Sequence, residues 1–195
     1  LAVFMITQRI MYNWNGITLH PAVRKRMKNL LGTFIAAVAY FVITYHLTNI
    51  YFAKQTAFEH FILLSGGVFP MLFWVGYVLL GTVLPLLILY VPDLSRIRGA
   101  VFAASALVII GAFCLLYVFI VGGQAFPLDI FPGYDVSSSF MDGAVDHYAP
   151  SLPEALLGFG GLGIAFTMTT IGVRILRFLP EDDIAHLEAA GTIVD

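Results

Sequence analysis

Charge is scarce in this chain and cysteine nearly absent. Asp, Glu, Lys and Arg make up 11% of its 195 residues, about half the share a soluble globular domain carries. That excludes a water-facing surface over most of the molecule. The formal net charge of −2 carries no argument for nucleic acid, and none is expected as a partner. The single cysteine, Cys114, excludes an intrachain disulfide and a thiolate set for zinc or an iron-sulfur cluster. It is expected to act as a small apolar residue. No secretory leader pattern opens the chain. Acidic residues are also missing from the middle of the long apolar stretches, which counts against ion-coupled transport.

What is present is hydrophobic: 59% apolar residues, 14% aromatic, and a mean hydropathy of +0.90. The apolar residues gather in stretches at 27–52, 61–91, 101–121 and 155–176, each longer than the roughly 20 residues needed to span a bilayer. Lipid offers no partner to unsatisfied backbone groups, so each stretch must be a helix. The expected fold is an all-α, polytopic transmembrane helical bundle with at least four spanning helices. The second stretch, with Gly66, Gly67, Pro70, Gly76, Gly81 and Pro85, exceeds the bilayer thickness and is expected to tilt or kink.

Arg24, Lys25, Arg26 and Lys28 open the first span, Arg96 and Arg98 separate the second from the third, and Arg174 and Arg177 close the fourth. The positive-inside bias makes these sites cytoplasmic. The turn at Lys54 and the segment 122–154 then face outward, which in a bacterium or archaeon with one such inner membrane means the periplasmic side. Leu1 begins what reads as the last turns of a preceding helix, with 8–21 as a cytoplasmic connector and 181–195 as a short acidic tail. The chain is therefore expected to be the carboxyl-terminal part of a protein of eight to ten helices.

Polar groups at membrane depth are costly enough to need a reason. Tyr45, His46 and Asn49 share a face near the outer end of the first span, and Glu59 and His60 open the second at similar depth. These five are the candidate quinone-binding or proton-relay residues. A quinone needs hydrogen-bond donors for its carbonyls and a group that moves protons, and histidine serves both needs. The plain alternatives are interfacial anchoring and bonding between helices. A b-type haem between His46 and His60 is a further reading, limited to one haem because no other pair of histidines lies at membrane depth.

Segment 122–154 is too long for a tight connection and mixes acidic, aromatic and proline residues. It is expected to dock a water-soluble partner or cap the pocket, with Asp129, Tyr134, Asp142 and His147 as docking residues. No metal site is expected there, since Asp142, Asp146 and His147 match no ligand signature. Gly158-Phe159-Gly160-Gly161-Leu162-Gly163 formally matches a dinucleotide fingerprint, but no strand precedes it. Close helix packing is the expected use of those glycines.

Tyr45-His46-Leu47-Thr48-Asn49-Ile50-Tyr51, Phe58-Glu59, Gly66-Gly67, Pro70, Phe73-Trp74-Val75-Gly76, Gly81, Pro85-Leu86, Pro153-Glu154 and Arg174-Ile175-Leu176-Arg177-Phe178-Leu179-Pro180 together resemble the NrfD, or polysulfide-reductase-type, membrane subunits, most closely their sulfite-reduction-associated (DsrP-type) branch. The resemblance implies a subunit with no haem or iron-sulfur cluster of its own, exchanging electrons between menaquinone or ubiquinone and a periplasmic ferredoxin-like iron-sulfur subunit. In the sulfite-reduction branch it further implies a multihaem cytochrome c, a haem b membrane subunit and a cytoplasmic iron-sulfur subunit as partners. The five pocket residues are read from depth and chemistry, and are not carried over from the family's quinone site. The rival function is a transporter or a structural anchor without a redox role.

Overall fold

A computed structural model describes residues 1–14, 20–52, 55–65, 67–95, 97, 99–127, 145 and 150–175. Helix α1 is Ala2–Trp14 and α2 is Pro21–Tyr51. A short helix, α3, Thr56–His60, continues as a π-helical turn through Phe61–Ser65. Helix α4 runs over Val68–Tyr90, followed by the single turn α5, Pro92–Ser95, then α6, Ala100–Ala125, and α7, Leu152–Ile175. No strand occurs among the described residues. Four helices are long and apolar enough to cross a membrane: α2, α4, α6 and most of α7. The chain is an all-α, multi-pass integral membrane protein.

The connector read at 8–21 begins later than expected, because α1 continues to Trp14. Met5 and Tyr12, seven residues apart, are both buried, so the second half of this helix follows the packed face set by the first. The Arg24 amide bonds back to the His20 carbonyl, and His20 Nδ1 accepts from the Ala22 amide at 3.3 Å. That cap, with Pro21 at the first helical position, fixes where α2 starts.

The stretch 61–91 is two helical pieces. Gly67, at φ 65° and ψ −100°, takes a conformation that a side chain would resist, and α4 restarts at Val68 with Pro70 in its first turn, where the missing N–H costs nothing. The Trp74 indole N–H donates to the Leu63 carbonyl at 3.0 Å, satisfying an acceptor that the interrupted helix leaves exposed.

Beyond the break, Leu72–Val83 winds as a π-helix before returning to α geometry at Leu84. The wider winding stacks residues five apart, which brings Gly76 and Gly81 to one side of α4. Both meet α6: a Cβ on Gly76 would lie 2.6 Å from Cys114 Sγ, and one on Gly81 would lie 2.7 Å from Gly111 Cα. Small residues thus let two backbones touch, as membrane helices require in the absence of a water-driven hydrophobic force. Pro85, which cannot donate to the ladder, sits just past the end of the wide winding.

Two cores follow from this seam. At one end Ala2, Met5, Leu31, Ile35, Leu89 and Ala104 join α1, α2, α4 and α6, and Lys28 Nζ lies 5.5 Å from the centre of the Tyr90 ring. At the other, Val42, Phe61, Ile62, Phe73, Tyr77 and Val118 join α2, α3 with its π turn, α4 and α6.

Helix α7 belongs to a second compact unit. Its start is capped, with the Ser151 amide donating to Glu154 Oε2 at 2.7 Å. Gly158, Gly160, Gly161 and Gly163 lie inside this continuous helix, with none of the strand-to-helix turn that a dinucleotide fingerprint needs.

Candidate functional site

Helix α2 must pass its carboxyl-terminal end close to α3, because only Phe52 to Gln55 separate the two, with the Gln55 amide bonded to the Phe52 carbonyl at 2.8 Å. That tight return places Glu59 beside the last two turns of α2. His46 Nδ1 and Glu59 Oε2 are 2.6 Å apart. The other carboxylate oxygen, Oε1, accepts from Asn49 Nδ2 at 2.7 Å. His46 and Asn49 are three apart on the helix and so present imidazole and carboxamide to the same carboxylate. His46 is 7% exposed and Glu59 2%, a depth at which an ionisable group persists only when paired.

The imidazole is enclosed by rings. Phe73 meets it edge-on at 4.9 Å between centroids, Tyr45 at 5.3 Å, and Phe119 at 5.7 Å. Phe58, Phe61, Phe69 and Phe126 pack in the same core. With Nδ1 held by the carboxylate, the opposite ring nitrogen, Nε2, is buried and has no hydrogen-bond partner among the described residues. A buried polar atom left unpaired costs about 1–3 kcal/mol. Such an atom in a folded protein points to something that binds it.

The five residues expected at this level divide into a joined set and two neighbours. His46, Asn49 and Glu59 are linked directly. Tyr45 touches the set through its ring, against His46 and Phe119, while its side chain is largely exposed. His60 is exposed and turns to Ser65, whose hydroxyl lies 3.1 Å from His60 Nδ1. Asp129, Tyr134, Asp142 and His147 lie outside the described residues. No group of three His, Cys, Asp or Glu able to hold a metal occurs among the described residues.

Three residues around His46 escape a reading of the sequence by polarity. Phe73 and Phe119 shape the surroundings of His46, yet in the sequence they are two of 17 phenylalanines. Tyr77, on α4, is buried and its hydroxyl closes no hydrogen bond of good geometry. Its spacing from Phe73 was the available signal, since residues four apart on a helix share a face.

The chemistry open to this arrangement is proton transfer. With the carboxylate bonded at Nδ1, Nε2 is the ring nitrogen left to accept or give a proton.

The family described as polysulphide reductase, NrfD, matches residues 1–128. The chain is also similar to the Hdr-like menaquinol oxidoreductase integral membrane subunit of Archaeoglobus fulgidus, with 28% identity over 170 residues, covering 84% of this chain and 42% of the relative. The chain thus spans less than half the length of that curated relative. No solved structure matches.

Proposed function

The chain belongs to the polysulphide reductase NrfD family, and from that premise we propose that it is the quinol-interacting membrane subunit of an oxidoreductase complex. The observation that carries the reading is His46 Nε2, buried and unpartnered in an aromatic enclosure while Glu59 holds Nδ1. The relative's naming as a subunit of a menaquinol oxidoreductase supports menaquinone over ubiquinone.

A quinol supplies two electrons and two protons when it is oxidised. His46 Nε2 takes up one hydroxyl proton, with Glu59 opposite as the counter-charge, and the second proton leaves to water at the outer rim. Asn49 holds the carboxylate in place for that task. The surrounding phenylalanines exclude water and match the flat face of a head group. Tyr45, exposed beside His46, stands where a head group would arrive from lipid, and His60 marks the aqueous rim.

The electrons pass to a partner, which must bring the acceptor. The proposed acceptor is a ferredoxin-like iron-sulfur subunit on the periplasmic side, docked through 122–154 with Asp129, Tyr134, Asp142 and His147. The multihaem cytochrome, haem b subunit and cytoplasmic iron-sulfur subunit belong to the finer proposal of a complex serving dissimilatory sulfur metabolism.

The test is to purify the subunit from native membranes in mild detergent, identify what accompanies it by mass spectrometry, and assay quinol oxidation in wild type and His46→Ala. Bound quinone, a co-purifying iron-sulfur protein and lost turnover in an assembled variant are expected. Undiminished turnover in His46→Ala removes this site from the reaction.

A further inference from the structure

Three of the four cations near the start of α2 fall on one side of it. At about 100° per residue, Arg24, Lys25, Lys28 and Gly32 share a stripe, while Arg26 lies about 160° away from Lys28. Further along the helix the same side carries Leu31, Ile35, Val42 and His46, all buried. The three cations therefore sit at the mouth of the seam that α2 makes with its neighbours. A bias in charge that only set the topology would be met equally well on the outward side, where Arg26 is.

Tyr90, at the end of α4, organises this mouth. A Cβ on Gly32 would overlap its phenol, so the tip of the tyrosine rests on the bare backbone of α2. One turn earlier, Lys28 Nζ lies 5.5 Å from the centre of the same ring, within cation–π range. The contact holds one ammonium in place, which removes part of the rotamer freedom that a lysine loses on binding an anion. Tyr90 is still 51% exposed, and Arg24 and Lys25 are exposed beside it. No acid neutralises the group: among the described residues the one ion pair is His46–Glu59, at the other end of α2. Asp93, three residues past Tyr90, joins none of these cations.

Depth identifies the anion. The run from Leu30 to Tyr51 is about 33 Å long, close to the roughly 30 Å of a bilayer's hydrocarbon core. Arg24, Lys25 and Lys28 then lie at head-group level, where the abundant anions are phosphodiesters. We propose that these three cations, arranged beside Tyr90, bind the head group of an anionic phospholipid. Basic pockets between membrane helices take such head groups, with the guanidinium supplying paired donors to phosphate oxygens and the two ammoniums supplying charge. The site stands whether or not the protein handles a quinone.

Lysine acylation, quantified by mass spectrometry on the complex purified from native membranes, tests it. The complex is stripped of lipid with detergent and given phosphatidylglycerol or phosphatidylcholine with the same acyl chains. Lys25 and Lys28 are expected to react severalfold more slowly in phosphatidylglycerol, with Lys54, past the other end of α2, as the unchanged reference. Arg24→Gln is expected to abolish the protection of Lys28, and Arg26→Gln to leave it. Equal rates in the two lipids overturn the proposal, as they would if a protein neighbour covered this face. Slowing of Lys54 in step, or an equal effect of the two variants, also overturns it by reducing the site to diffuse charge. If Arg24→Gln does not accumulate, the wild-type comparison decides alone.

Discussion

Gly81 and Gly111 meet backbone to backbone, so close that a Cβ added to either would fall within the contact distance of the other's Cα. Nothing flexible lies between the two helices at that point. The seam cannot yield by rotating a side chain, only by separating α4 from α6.

Gly111→Val is therefore expected to lower the stability of the detergent-solubilised subunit by about 1–3 kcal/mol, the usual cost of overpacking, or to block its accumulation. Gly123→Ala, at a position with open space around it, serves as the control and is expected to be near neutral. Thermal unfolding followed by size-exclusion chromatography compares them. Equal stability of the two variants would remove the glycine seam as the determinant of this packing.

Glu59→Leu strips partners from both His46 Nδ1 and Asn49 Nδ2. Breaking one side of a buried pair typically costs about 3–5 kcal/mol, and the double variant His46→Leu with Glu59→Leu is expected to recover part of that loss. The same thermal assay, run as a double-mutant cycle, reads the coupling directly. Additive losses would mean that the two side chains do not act as a unit.

Glu59→Gln keeps the size and an acceptor oxygen while removing the negative charge. Its expected signature is a larger loss in quinol oxidation than in thermal stability, since the charge matters most when the imidazole is protonated. A variant with wild-type turnover would show that the carboxylate only orients the ring.

Trp74→Phe removes the indole donor that reaches the Leu63 carbonyl across the helix break. One neutral hydrogen bond contributes about 0.5–1.5 kcal/mol, so global unfolding should shift little. Amide exchange over 61–69 is expected to quicken while the rest of α4 is unchanged. Unaltered exchange there would mean that the indole does not brace the break.

The spanning helices were legible because lipid forces one solution on a long apolar run, and the run itself marks the helix. The polar trio was partly legible for a related reason: His46 and Asn49 share a face at helical spacing, and Glu59 follows after a turn too short to carry it away. The direction of His60 was not legible. Next to Glu59 in sequence but about 100° around the helix, it turns to Ser65 instead. The break at Gly67 was visible only as a reason to bend. Nothing in the sequence announces a π winding, because its evidence is the pairing of Gly76 and Gly81 with residues on another helix. The aromatic enclosure was hidden by abundance, since a phenylalanine facing a histidine and one facing lipid read alike.

The short return between α2 and α3 has a consequence for how the protein enters the membrane. His46 and Glu59 are only 13 residues apart in the chain, so they can pair as soon as the two helical arms form a hairpin. An ionisable group inside the membrane is costly unless it is paired. By entering together, imidazole and carboxylate bond to each other before any later helix arrives, and the bilayer receives one joined pair in place of two separate polar groups.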